Sequence, residues 1–323
     1  MIPWVLAFAI TIKQQALLMR NTKMNVLNAL LVTVLGTTLV ACGSSDLEQL
    51  HEQQLDDAIN DFAPSAALPV APAQNGMDLT KYELVFNDEF EASFLDVLKW
   101  DTALWSSDTI IYEQKQFYVD TQDTEVEFDS PFALDGNSLT ISASQTPVDK
   151  LAEANNQPYL SGLITSRNTF DFEYGYVEAR VRVSEGAGIW PSVWMLGADG
   201  QGLKPEIYIM EYDGDKPDSL FNNYNYVDDE GNLRSPGQQQ VDEPGFSDGY
   251  QIVGLQWSPG ELLFRTNGRA TYRIIGDNVP SEDMYLILNL AMGGIWPSPT
   301  NDDTPDPATF DIDYVRVYQL LAP

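Results

Sequence analysis

Two glutamates, Glu206 and Glu211, lie within the run Pro205-Glu206-Ile207-Tyr208-Ile209-Met210-Glu211-Tyr212. A pair of carboxylates facing one cleft can break a glycosidic bond with retention, one attacking the anomeric carbon while the other gives and then takes back a proton. On a β-strand, successive side chains alternate between faces, so Glu206 and Tyr208 look one way while Ile207 and Ile209 enter a core. Glu211 is five positions beyond Glu206, and in a regular strand that odd spacing would bury it. One extra residue at Ile209 or Met210, a β-bulge, returns Glu211 to the face of Glu206. Taken alone, the same spacing also describes two solvated charges at a sheet edge.

The elements available to carry this pair are short strands. From Tyr82 onward, YELVF, SLTISAS, YGYVEARVRV, YIMEY, YQIVGLQW, ELLFRTNG, YLILNLAM and ATFDIDYVRVY are separated by turn residues, and no ten-residue helical pattern interrupts them. This texture predicts an all-β sandwich or barrel. Within Thr266-Asn267-Gly268-Arg269, Asn-Gly accepts the positive φ of a type I′ turn and marks a hairpin.

The N-terminal part reads differently. Lys13, Arg20 and Lys23 are the three basic residues of the first 41, which hold no acid. An apolar run from Val26 to Val40 ends in Leu39-Val40-Ala41-Cys42, the layout of a secretory signal. It resembles the lipobox of bacterial lipoproteins, with Cys42 the lipidated mature N-terminus and Met19 or Met24 the true start. A short transmembrane anchor is the competing reading, although the run is brief for a span. Residues 46–62 space Leu47, Leu50, Leu55, Ile59 and Phe62 for an amphipathic helix or a partly ordered spacer, and residues 63–77 form an Ala/Pro-rich linker. The expected organisation is a signal peptide over 1–41, a lipidated tether over 42–78 and one β-sandwich domain over 79–321.

Composition narrows the partners. The formal net charge of −31 becomes −34 once those three basic residues are removed. Such a field repels nucleic acid and anionic polymers, and favours a neutral polysaccharide. It also suits a surface that is merely soluble. A single cysteine rules out an intrachain disulfide framework. The lone histidine, His51, lies outside the β domain and leaves no His-rich zinc site or Ser/His triad there.

Six segments in order give the domain a family likeness: Leu84 to Phe90 (LVFNDEF), Ser161 to Ser166 (SGLITS), Tyr174 to Arg180 (YGYVEAR), Gly188 to Leu196 (GIWPSVWML), Asn289 to Gly294 (NLAMGG) and Asp313 to Tyr318 (DYVRVY). Together they resemble the landmarks of glycoside hydrolase family 16, and the bulged glutamate pair resembles its laminarinase-like branch. The resemblance implies a concanavalin-like jelly-roll β-sandwich with a concave glycan-binding cleft. It implies a monomer that retains configuration while cleaving β-linked glucans such as β-1,3-glucan, with no cofactor for catalysis. Glu206 matches the nucleophile and Glu211 the acid/base. Trp190, Trp194 and Trp296 match aromatic positions at or near the cleft, where indole faces meet the C–H groups of a pyranose, or else pack in the core. Arg167, with Trp105, Tyr112 and Tyr212, is a rim candidate. In relatives a structural Ca2+ is held by the residues matching Asp313 and the backbone of Gly136.

Three departures surround the cleft. Tyr208 replaces the Asp expected between the glutamates, Asn225 stands where a His is common, and Tyr112-Glu113-Gln114 replaces Asn-Asn-Glu. They leave two readings: a retaining endo-β-glucanase-like enzyme of altered specificity or rate, or a lipid-anchored glycan-binding protein of the bacterial cell envelope with little or no turnover. The acidic insert over residues 222–249 is expected either to narrow the cleft or to be a plain surface loop.

Overall fold

A computed structural model describes residues 76–105, 110–123, 128–198, 204–228 and 230–321. The chain divides into two units, residues 1–69 and 70–323, and the described residues belong to the second. Cys42, the signal-like run, the candidate helix over 46–62 and most of the linker lie outside the described residues.

The described residues form β-strands and three short 3-10 helices, with no α-helix among them. Ten strands make one sheet and seven make the other. Alternation along the strands decides what lies between them. In Ile189–Gly197, Ile189, Val193 and Met195 enter the main core, and so do Met284, Leu286, Leu288, Leu290 and Met292 of Met284–Met292. Val177, Ala179, Val181 and Val183 meet them from Gly175–Val183 in the larger sheet. This is the all-β sandwich that the strand texture predicts. At the expected hairpin, Thr266 pairs with Arg269, and Asn267 and Gly268 sit at φ 47° and 84°. The first and last family landmarks also meet, since Tyr82–Asp88 pairs with Ala308–Leu320 and Arg316 holds both carboxylate oxygens of Glu89 at 2.9 and 2.8 Å.

In the smaller sheet, the strand Glu206–Glu211 lies between Ile189–Gly197 and Ser219–Val227. Its register shows why Glu211 does not turn inward. Trp194 pairs with Tyr208 but Val193 pairs with Met210, so Ile209 has no partner on that side. Across the other edge, Phe221 pairs with Glu211 and Asn223 with Tyr208, leaving Ile209 and Met210 opposite Asn222 alone. Ile209 and Met210 both enter the core, and the bulge shifts the parity of every residue after it.

Asn222 is fully buried, donates through Nδ2 to the Ile209 carbonyl at 2.7 Å, and accepts from Thr271 Oγ1 at 2.9 Å. It satisfies a carbonyl that the bulge takes out of the ladder. Asn222→Ala is therefore expected to cost about 1–3 kcal/mol, the usual penalty for an orphaned buried acceptor. Guanidinium unfolding should show a lower midpoint with an unchanged slope; an unaltered midpoint would mean that the amide does not support the bulge.

Candidate active site

The outward face of the smaller sheet carries the chemistry. Glu206, Tyr208 and Glu211 share it with Trp190, Ser192 and Trp194 from one neighbouring strand and with Phe221, Asn223 and Asn225 from the other. Glu206 is fully buried and Glu211 is 3% exposed. These are not solvated edge charges.

Both oxygens of Glu206 are engaged. Tyr112 donates its phenol to Oε1 at 2.6 Å, while Oε2 accepts from Asn225 Nδ2 at 3.1 Å and forms an ion pair with Lys204. Lys204 Nζ also donates to the Tyr112 hydroxyl at 3.1 Å, closing the cluster. Burial, the charge of Glu206 and the hydrogen bond to it hold the Tyr112 phenol far above the usual tyrosine range, so it stays a donor.

Glu211 has a different environment. Gln238 Nε2 donates to its Oε2 at 3.0 Å. The Trp190 indole N–H is buried without a hydrogen-bond partner, and its dipole favours the charged form of this carboxyl. Burial outweighs these groups and, with repulsion from Glu206, pushes the Glu211 carboxyl up to about 7. Glu211 can therefore hold a proton near neutral pH, as an acid/base must.

The aromatic candidates divide by their neighbours. Trp190 is in tilted contact with Tyr112 and Trp296, ring centroids 6.4 and 5.3 Å apart, and Phe221 meets Trp296 edge-on at 5.1 Å. Trp296 is partly exposed and can offer a ring to a sugar. Trp194 is on the expected face, as buried as Trp190 (2% and 4% exposed), and stacks on its cross-strand neighbour Tyr208 at 5.2 Å and 5°. Its indole donates to Asn289 Oδ1 at 2.7 Å, so Trp194 supports the floor instead of presenting a platform. Tyr208 is 4% exposed, and burial followed by the charges of Glu206 and Glu211 holds its phenol well above the usual range. It fills space and stays neutral at the position where the family likeness leads to the expectation of an Asp. Arg167 follows the edge strand Leu163–Thr165 and donates to the Leu104 carbonyl at 3.0 Å, away from the glutamates' immediate contacts.

Sequence reasoning missed Lys204 and Gln238. Lys204 stands before the strand Glu206–Glu211, outside its alternation, and only the folded chain brings it to Glu206. Gln238 belongs to the acidic insert, between Leu233–Arg234 and Gln239–Asp242, and only the folded chain shows this segment reaching the acid/base candidate.

Asp313 and Gly136, the calcium candidates, lie on the other sheet. Gly136 turns at φ 84°, and Asp313 shares a depression with Glu91 and Asn137. Arg180 donates to Asp313 Oδ2 at 2.6 Å, and Arg316 neutralises Glu89. No group of three or more His, Cys, Asp or Glu side chains suited to a metal occurs among the described residues. The side chains alone do not fit a dication, which would need backbone carbonyls to complete its shell.

With this geometry in place, the comparisons are direct. The model of glycosyl hydrolases family 16 matches residues 105–316, and the chain belongs to this family. An endo-1,3-1,4-beta-glycanase of Rhizobium meliloti is 27% identical over 254 residues, 76% of this chain and 54% of that protein. A beta-glucanase of Rhodothermus marinus is 27% identical over 268 residues, covering 74% of this chain and 86% of the relative. Among solved structures, a non-specific endo-beta-1,3(4)-glucanase superposes with a TM-score of 0.65 at 25% identity, over 75% of this chain and 92% of that one. The jelly-roll sandwich is thus shared, although the chain spans about half the length of the Rhizobium relative it matches.

The raised Glu211 carboxyl has a consequence for stability. Between its ordinary value of 4.5 and about 7 the native state binds more protons than the unfolded chain, so stability falls as pH rises through that window. Glu211→Gln removes this cost and should gain on the wild type with rising pH, by on the order of 3 kcal/mol above the window. Unfolding midpoints at pH 5, 6 and 8 test it; a difference that stays constant or shrinks with pH would contradict the assignment.

Proposed function

We propose that the domain is a retaining endo-β-glucanase acting on a neutral polysaccharide such as β-1,3-glucan, with Glu206 as nucleophile and Glu211 as acid/base. The observation that carries this reading is the bulge at Ile209, which sets two buried carboxyls in different environments on one face. In the first step a Glu206 oxygen bonds to the anomeric carbon while Glu211 protonates the departing glycosidic oxygen. In the second, Glu211 takes a proton from water, the water oxygen bonds to the same carbon, and the Glu206 carboxylate leaves. The partly exposed Trp296, backed by the buried Trp190 and Phe221, offers an apolar face suited to a sugar, and the net charge of −31 favours an uncharged polymer. The family and the glucanase activities named for its relatives support hydrolysis over a purely binding role. So do both carboxyls with their hydrogen-bond partners, which a binding cleft does not need.

The same proposal places the domain, as a monomer, on the bacterial cell envelope through lipid on Cys42, supported by the lipobox-like Leu39-Val40-Ala41-Cys42. Palmitate labelling lost in Cys42→Ala tests the anchor. A structural Ca2+ on Asp313 and the Gly136 carbonyl rests on donor chemistry alone. It predicts a higher Tm in calcium than in chelator, and equal values would remove it.

For the reaction, reducing-sugar release from laminarin and lichenan should disappear in Glu206→Gln and fall on the order of 10² to 10⁴ in Glu211→Gln. In the wild type, kcat/KM should decline as pH rises through about 7, where Glu211 loses its proton. NMR of the first-formed product should show the β-anomer. Inversion, or full turnover by Glu206→Gln, would defeat the assignment.

A further inference from the structure

Among the described residues, Lys204 is the cation in contact with Glu206, and its side chain is 18% exposed while Glu206 is wholly buried. It precedes the strand Glu206–Glu211 and touches the Glu206 carboxylate and the Tyr112 hydroxyl. At contact distance the ammonium attracts the carboxylate form of Glu206. In the first chemical step its oxygen forms the bond to the anomeric carbon and its charge is lost, so the ammonium loses its partner. In the second step that bond breaks, the electron pair returns to the carboxylate, and the charge reappears against the ammonium. An interaction stronger in the free carboxylate than in the ester hinders the first step and assists the second.

We propose that Lys204 weakens Glu206 as a nucleophile and improves it as a leaving group, making formation of the glycosyl-enzyme the slow step. The position allows no simpler account by solvation, since Tyr112 and Asn225 already supply neutral donors to both Glu206 oxygens. This rests on Glu206 being the nucleophile. Its consequence is a matter of substrate: turnover is governed by leaving-group quality, as for an unactivated polysaccharide, and the covalent intermediate does not accumulate.

The test uses the full chain and a series of aryl β-glycosides of a gluco-oligosaccharide with phenol leaving groups of graded acidity. For the wild type, kcat should fall steadily with leaving-group pKa over the whole series, with no pre-steady-state burst. In Lys204→Met the first step should accelerate roughly tenfold, the lower end of what one charged hydrogen bond is worth. The best leaving groups should then reach a plateau in kcat and release a burst of phenol near one equivalent per enzyme. Lys204→Arg keeps the cation and should show no burst. An identical dependence without burst in Lys204→Met overturns the proposal, and so does loss of turnover in a variant whose circular dichroism is that of the wild type. Undiminished turnover in Glu206→Gln would instead overturn the underlying reading of the nucleophile.

Discussion

A single inserted residue governs this site. Without the bulge at Ile209, alternation would send Glu211 into the sandwich core, where an unpaired carboxyl has no acceptable partner. With it, Ile209 and Met210 both pack inward and Glu211 emerges on the face of Glu206. The supporting parts follow from that geometry. Asn222 takes the Ile209 carbonyl released from the ladder, and the flanking strands deliver Trp190 and Asn225 to the same face. The core contributes rigidity: Ile207, Ile209 and Met210 are anchored among side chains of both sheets, so the glutamates cannot separate without unpacking it.

Charge, not shape, then separates the two carboxyls. Glu206 has three donors, one of them cationic, while Glu211 has the neutral groups Gln238, Asn223 and Trp190. Relatives are expected to place an Asp between such glutamates. Here Tyr208 fills that position as a neutral ring stacked on Trp194, and Tyr112 and Lys204 take over the contacts to Glu206. The three departures visible in the sequence are therefore one rearrangement. Replacing a carboxylate by phenols lowers the negative charge around Glu206, and the lysine lowers it further.

Much of this was legible from residue spacing because a strand has period two and the bulge is an integer correction to it. The sandwich, the Asn267-Gly268 turn and the opposite faces of Glu206 and Ile207 follow from that arithmetic. What alternation cannot supply is surroundings. Trp190 and Trp194 share a face, yet Trp194 packs with Leu104, Tyr118 and Tyr208 from segments distant in sequence, while Trp190 meets Tyr112 and Trp296. The reach of Gln238 likewise depends on an insert whose path no periodicity encodes. Lys204 lies before the strand Glu206–Glu211, where strand parity does not apply.

The account stands on Glu206 being the atom source for a covalent bond to sugar. A 2-deoxy-2-fluoro glucosyl fluoride extended by a β-1,3-linked glucose unit slows both steps and carries its own good leaving group, so the intermediate should be trapped. Peptide mapping by mass spectrometry should place one added glycosyl unit on Glu206, with none formed in Glu206→Gln. A label on Glu211 or another side chain, or no label while the wild type hydrolyses the same linkage, would contradict it.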